Sequence, residues 1–505
     1  METRSSPAQR EGCELRRDVL HDENHRCISR EPEAEEGEAD SGGDVHSMRA
    51  TELEWRERLV MRTVFLEVGT WTMAALVLAA TPLAIPAAKA QEQTTQGAAA
   101  EGQTPWLVPH VNYGGDLASR PALTGDWGGL RQDLMDKGVR FDLSLTQTLQ
   151  GNVANGREYD WPYQGGVDIG ARVDTGHAGL WPGGLFVVKG EVRYGEDNNG
   201  NSGALLPVNT DALYPVPGEE TAALSELYHL QFLSEWAGVM IGKFSPRDSN
   251  LFAHDETEQF MNASFNFNPV IGTTVPLSFL AAGGVLLPTK WLTVTTLALD
   301  SEGTADSSGF DTVFETGTTV FQSWQAAIKP FGLPGNQRVG WTWSDRSRIQ
   351  FEQNAREIVG AIIDRNTSGL ARESSDRSFI YDFDQYVYLE PGSTDAGLGA
   401  FGRFGLGDQD VNPIEAFFSL GIGGKGMIPG RDSDTFGAGY SYTKLSNELP
   451  DFVKKRTNDE QAVELYYNVA VTPWFHITPD FQVIEPAIKS TNTTVVLGVR
   501  AKIEF

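Results

Sequence analysis

Val139-Arg-Phe-Asp-Leu-Ser-Leu-Thr-Gln-Thr-Leu-Gln150 decides the fold class. Val139, Phe141, Leu143, Leu145 and Leu149 fall on one side of an extended chain. Arg140, Asp142, Ser144, Thr146, Thr148 and Gln150 fall on the other. The end of the chain repeats the pattern. Val495, Leu497, Val499, Ala501, Ile503 and Phe505 oppose Thr494, Val496, Gly498, Arg500, Lys502 and Glu504. Between these two stretches, Phe186, Val188, Val192 and Tyr194 alternate with Lys189, Glu191 and Arg193, and 462–471 alternates with both faces partly apolar. Strands of about ten residues, separated by Gly, Asn, Asp and Pro turns, are the pattern of an antiparallel transmembrane β-barrel with a polar lumen. A soluble β-sandwich alternates too. Two features favour the barrel: the chain ends on aromatic Phe505 directly after an alternating strand, and Phe, Tyr and Trp gather near strand ends, where interfacial girdles would sit.

Composition agrees with an all-β chain. The 505 residues include 54 Gly, 26 Phe, 13 Tyr and 12 Trp, and an apolar fraction of 40% excludes wholesale disorder. A formal net charge of −28 argues against nucleic acid as a partner, because phosphates repel such a surface. The only cysteines are Cys13 and Cys27.

Residues 1–60 carry charge-rich runs such as Arg30-Glu-Pro-Glu-Ala-Glu-Glu-Gly-Glu-Ala-Asp40 and almost no apolar periodicity. They read as a disordered tail or as an extension preceding a later start at Met61 or Met48. The export signal that follows favours the later start. Arg62 lies in a short basic segment, Met73–Ala84 is an apolar run, and Ala88-Lys89-Ala90 offers a small-x-small cleavage pattern before Gln91. The apolar run is too short to span ~30 Å as a helix, so 61–90 is expected to be a cleaved signal peptide. Residues 91–505 then carry 51 acidic and 29 basic residues, a net of −22, and no cysteine. This excludes a disulfide framework, a thiolate metal site and a cysteine nucleophile. Residues 91–122 read as a flexible leader. Asp126–Gly138 reads as one short helix, capped by Asp126, with Leu130 and Leu134 on one face and Gly138 as its left-handed stop.

Leu123-Thr-Gly-Asp-Trp-Gly-Gly-Leu-Arg131 followed by Gly138-Val-Arg-Phe-Asp142 resembles the opening of the carbohydrate-selective porin family (the OprB family). Further similar stretches follow in order: Gly242-Lys-Phe244, Gln259-Phe-Met-Asn-Ala-Ser-Phe265, Gly332-Leu-Pro-Gly335 and Phe401-Gly-Arg-Phe-Gly405. The C-terminal third adds Ile428-Pro-Gly-Arg-Asp-Ser-Asp-Thr-Phe-Gly437, Glu464-Leu-Tyr-Tyr467, Thr472-Pro-Trp474 and Thr478-Pro-Asp-Phe-Gln482. The resemblance covers 123–505 and implies a sixteen-stranded outer-membrane barrel that passes sugars passively. The charge-rich region 345–390 matches none of its motifs.

No catalytic constellation stands out, and no cofactor or metal is expected. Gly421-Ile-Gly-Gly-Lys-Gly426 satisfies G-x-G-x-x-G but lacks a βαβ setting, so it reads as a glycine-rich strand. Asp432-Ser-Asp-Thr-Phe-Gly437 reads as a tight turn, and His254-Asp255-Glu256 as a hydrated loop. The lumen face is the informative part. Sugars are neutral, with many hydroxyls and apolar ring faces, so a sugar-passing aperture calls for charged groups that donate and accept, with aromatic rings beside them. Lys189, Glu191 and Arg193 place both signs on one strand face, each two residues from the next, ~6.6 Å apart. They are the leading pore-lining candidates, with Glu191 and Arg193 taken as solvated. Arg403 and Arg431 join them from the family-like motifs. Trp341 and Trp343 share a face and read as membrane anchors.

Three functions stand at this point: a sugar-selective porin such as one passing glucose, a general or cation-preferring diffusion pore, and an exported β-rich sugar-binding protein or enzyme. The expected partners are small carbohydrates, outer-membrane lipid and a second copy of the chain.

Overall fold

The computed structural model describes residues 106–217, 222–246, 250–303, 308–364 and 366–505. The extension at 1–60, the signal peptide at 61–90 and residues 91–105 of the leader lie outside the described residues.

Sixteen strands close into one antiparallel barrel. They are β1 (Val139–Ala154), β2 (Tyr163–Asp174), β3 (Gly184–Gly195), β4 (Ala222–Ser234), β5 (Ala237–Phe244), β6 (Phe279–Thr289), β7 (Leu292–Asp300), β8 (Thr318–Ile328) and β9 (Gly335–Ser344). After a two-stranded hairpin outside the barrel, β10 (Arg348–Ile349) with β11 (Arg372–Glu373), the wall continues. Its second part comprises β12 (Asp376–Leu389), β13 (Gly397–Gly407), β14 (Ile414–Lys425), β15 (Thr435–Leu445), β16 (Glu460–Thr472), β17 (Phe475–Glu485) and β18 (Thr494–Glu504). Strand β18 pairs with β1 from Ser144↔Glu504 onward, so no edge remains. Lipid offers no hydrogen bonds, and closure satisfies every strand. An 11-residue strand such as β18 is ~36 Å long, and a tilt of ~40° brings its rise to ~28 Å, close to the hydrocarbon thickness.

The alternation read from the sequence sets which side faces in. Thr146, Thr148, Gln150 and Asn152 of β1 are buried inside, while Phe141, Leu143 and Leu149 are exposed outside. In β18, Val496, Arg500 and Lys502 point in, and Leu497 and Val499 point out. No helix among the described residues is long and apolar enough to cross a membrane; the strands do the crossing.

The two ends differ. At one end the connections are short, down to the two-residue turns 235–236, 290–291 and 473–474. Trp181, Trp236, Trp291 and Phe331 stand exposed there as an aromatic girdle. At the other end lie the long connections 196–221, 245–278 and 345–375. In barrels of this kind short turns face the periplasm and long loops face outward. The charge-rich region 345–390 thus resolves into a long outer connection, holding β10, β11 and the helix Ala355–Ile363, followed by the whole of β12.

The short helix begins later than its sequence suggests. Gly128 and Gly129 have φ of 72° and 101°, which separates a 3-10 turn at Trp127–Gly129 from α1 (Leu130–Asp136). The Asp126 carboxylate accepts from the main-chain amide of Gln132, a free amide in the first turn of α1, although the N-cap position itself is taken by Gly129. The buried face is Arg131 and Met135, not Leu130, which is exposed. Arg131 donates to the main-chain oxygens of Phe505 (2.7 Å) and Phe141 (3.0 Å), tying the helix across the β1–β18 closure. Gly138, at φ 75°, is the expected left-handed stop. Residues 106–122, read as part of a flexible leader, are packed: Val108, Tyr113 and Ala122 are buried, and Trp106 stacks on His177 at 3.5 Å.

Candidate functional site: the barrel interior

Two of the long connections fold into the barrel. Their buried backbone amides and carbonyls need partners, and charged side chains on the inner wall supply them. For the segment after β5, Arg403 donates to the carbonyls of Phe265 and Ala253, and Arg500 to those of Glu256 (2.6 Å) and Gln259 (2.8 Å). The Glu464 carboxylate accepts from the amides of Met261 (2.5 Å) and Asn262 (2.9 Å). For the segment after β3, the Glu460 carboxylate accepts from Leu205 and Leu206, and Gln150 and Gln482 both donate to the Val208 carbonyl. The two segments also meet each other, with Thr210 donating to Met261 and Ala263 to Pro207.

Apolar contacts complete the anchoring. Phe252, Phe260 and Phe265 of the segment after β5 pack with Phe401, Tyr386 and Tyr466 of the wall. They fit because the facing wall positions are glycines. A Cβ at Gly423 would lie 2.7 Å from Cβ of Phe252, one at Gly437 2.7 Å from Phe260, and one at Gly439 2.5 Å from Phe265. Gly423, the second glycine of the literal G-x-G-x-x-G, thus belongs to a docking floor for the segment's aromatic rings that Gly437 and Gly439 continue on β15. The other half of the segment, Phe267 to Val275, joins an apolar cluster with inner-face residues of β5 to β8, including Leu297, Leu299 and Phe321, and with Ile380 of β12 and Ile414 and Phe417 of β14.

These anchors decide what the sequence candidates can do. Lys189, Glu191 and Arg193 do share the inner face of β3. Arg193 is not solvated: its side chain is 2% exposed, and it pairs with Asp168 (2.7 Å) and Asp211 (2.9 Å) while donating to the Asp211 carbonyl (2.7 Å). Glu191 is 7% exposed, pairs with Lys189 and lies 3.8 Å from Arg193. Two of this trio are thus interior fasteners. Arg403 is fully buried on loop carbonyls. Arg431 is not brought near the others. It lies in the short turn between β14 and β15, forked onto Asp434 (2.7 and 2.6 Å), because Pro429-Gly430 reverses the chain before the strand resumes. Trp341 and Trp343 face outward on β9, as the anchor reading requires.

The inward charges that keep contact with water lie on β18, β1, β2 and β3, Lys189 among them, and on the facing part of the segment after β5. Arg140 (23% exposed) and Arg172 (44%) both pair with Asp142 (29%), at 2.7 and 3.1 Å. Asp168 (20%) holds Lys189 (14%) at 3.0 Å. Lys502 is ringed by Glu258 (2.8 Å), Glu504 (2.9 Å) and Asp255 (3.8 Å), each about 30% exposed. Small residues separate them. The register sets Ser144 beside Asp168 and Glu504, and Gly170 beside Asp142 and Lys189. Burial works to raise the carboxyls of Asp255 and Glu258, but Lys502 holds both below their ordinary range, so they stay charged. The strip carries four cations and five anions, a near-balanced surface of donors and acceptors. Arg140, Asp142, Lys502 and Glu504 were legible as polar-face residues. Asp168, Arg172 and Glu258 were not singled out, and Asp255 was read only as part of a hydrated loop, because only the closed barrel shows which inward charges remain uncovered. Among the described residues, no cluster of His, Cys, Asp or Glu is set to hold a metal ion.

Comparison with known proteins bears on this interior directly. Residues 160–505 match the family model described as carbohydrate-selective porin, OprB family. Porin B of Pseudomonas aeruginosa is 23% identical over 425 residues, covering 76% of this chain and 91% of that protein. Porin AaxA of Chlamydia pneumoniae is 28% identical over 110 residues, 21% of this chain and 25% of its own. The high-pH structure of Pseudomonas putida OprB superposes with a TM-score of 0.68 at 21% identity, covering 77% of this chain and all of that one. The motifs that opened the resemblance, the closed sixteen-stranded wall and the family match converge: the chain belongs to the OprB family of carbohydrate-selective porins, a transport channel of the outer membrane and not an enzyme.

Proposed function

We propose that the channel passes small neutral sugars, of the size of glucose, by passive diffusion along the strip formed by β18, β1, β2 and β3. The observation that carries this reading is the balance of the water-accessible inner charges, with Arg140, Arg172, Lys189 and Lys502 against Asp142, Asp168, Asp255, Glu258 and Glu504. A row of one sign would concentrate counter-ions; alternating signs present hydroxyls with donors and acceptors in turn. The net charge of −22 over 91–505 favours cations in the outer field, yet most inward carboxylates are matched by a cation or by loop amides. Within this reading Lys189 is the one member of the leading trio placed to meet solute, and Glu191, Arg193 and Arg403 shape the passage by holding its walls. Swelling of liposomes in glucose against amino acids of similar size tests the reading. Faster swelling in glucose is expected, with the preference reduced in the Asp142→Ala/Arg172→Ala double variant. Equal rates for both solutes in the native protein would refute it.

We infer further that the channel self-associates through the outer face of β7 and β8. Thr296 and Gln322 pair across these strands and point outward near mid-strand, and no hydrogen bond of their side chains is formed among the described residues. Polar groups facing lipid at that depth are better satisfied by a second copy of the chain.

A further inference from the structure

On the outside of the barrel, β9, β12 and β13 form a groove lined by Trp341, Trp343, Arg377, Phe379, Leu406 and Asp408. Its layers follow from strand register. Trp341, Phe379 and Leu406 sit side by side at one level. Arg377, paired with Trp343, sits one inward-outward repeat nearer the long-loop end, a rise of ~6.6 Å along the strand. Apolar rings therefore lie deeper and a cation lies above them. Arg377 is exposed and forms no hydrogen bond or close ion pair among the described residues. An arginine on the lipid-facing side with only the longer-range field of Asp408 beside it is costly at mid-membrane and tolerable only at headgroup depth.

We propose that this groove is a binding site for one phosphate-bearing acylated lipid of the outer leaflet. The acyl chains lie on Trp341, Phe379 and Leu406, and the phosphate is held by the Arg377 guanidinium, whose planar fork suits phosphate oxygens. The order of the layers selects this occupant: a lipid presents the same sequence, with hydrocarbon below and an anion above. Asp408 stands at the Arg377 level and opposes an anion. Its carboxyl accepts from the Asp410 amide in its own turn; burial first, then Asp410 and Glu373, raise it above its ordinary range, against the opposing pull of Arg377, for which it competes with a phosphate. Its removal is expected to strengthen the site.

The test is native mass spectrometry of the detergent-purified barrel, titrated with dioleoyl phosphatidylglycerol and separately with dioleoylglycerol, which has no phosphate. The native protein is expected to retain one more phosphatidylglycerol than Arg377→Gln does. The substitution should weaken that binding by about tenfold, the effect of losing one charge-assisted contact at a wet surface. Trp343→Ala should weaken it as well, and Asp408→Asn should tighten it. Because Arg377 is exposed, its variant is expected to keep the native shift between heated and unheated gel mobility, which shows an intact barrel. Equal retention by native and Arg377→Gln protein, or equal retention of dioleoylglycerol, would overturn the proposal. So would a dimer that dissociates in Arg377→Gln, since a second copy would then occupy the groove.

Discussion

Two glycines on the inner wall carry opposite expectations, and comparing them tests whether the inserted segment sets the aperture. At Gly423 an added Cβ would lie 2.7 Å from Cβ of Phe252 and 3.2 Å from its ring. Carbon atoms rest at ~3.5–4.0 Å, so Gly423→Ala requires a displacement of ~1 Å. Rotating the ring cannot supply it, because the nearest atom is the Cβ of Phe252, fixed to the main chain. The segment itself must move, held though it is by Arg403 and by the Asn250 side chain, which donates to the Phe383 carbonyl. Overpacking of this kind costs about 1–3 kcal/mol. At Gly170 an added Cβ meets nothing nearer than 3.7 Å, so Gly170→Ala is expected to leave stability unchanged. Both variants should insert and show heat-modifiable mobility. In planar bilayers, single-channel conductance should change for Gly423→Ala and stay near native for Gly170→Ala. A lower temperature for loss of the unheated gel form should accompany the first alone. Native conductance and native thermal stability in Gly423→Ala would refute the claim that these aromatic contacts position the segment.

The remaining expectations concern the anchors, the acid response and self-association. Arg193→Ala leaves Asp168 and Asp211 without their shared cation and should destabilise the barrel by ~3–5 kcal/mol, whereas Lys189→Ala should alter sugar flux with little loss of thermal stability. Asp255 and Glu258 have folded values below their unfolded ones, so their contribution is complete above pH ~4 and is lost as pH falls through the depressed values. Any conductance change that depends on the hold of Lys502 on these two carboxylates should then appear only below about pH 4; an acid response unchanged in Lys502→Met would contradict that hold. Gln322→Arg places a charge on the outer face of β8 and should lower the particle mass measured by light scattering in mild detergent. An unchanged mass would exclude that face as the contact.

The wall was legible because its code is local. Alternation in 139–150, 186–194 and 494–505 fixes which side of each strand faces lipid, and the closed structure places those residues as read. The interior was not, for a physical reason visible at Arg193. Three charges on one strand face announce a polar lumen, but whether they meet water depends on Asp211, eighteen residues away in a connection with no periodicity of its own. The same holds for Arg403, whose carbonyl partners at Ala253 and Phe265 are 150 and 138 positions distant. Main-chain carbonyls carry no sequence signature, so a cation destined for them looks identical to one destined for solute. Glu464 makes the point in the opposite sense, since a lone carboxylate on an inner strand reads as a sugar acceptor and is instead occupied by two amides. A porin that folds chain into its own lumen must spend wall charges on that chain's backbone. Its selective surface is therefore the set of inward charges left over, and here those lie on β18, β1, β2 and β3, across the closure where the two ends of the barrel meet.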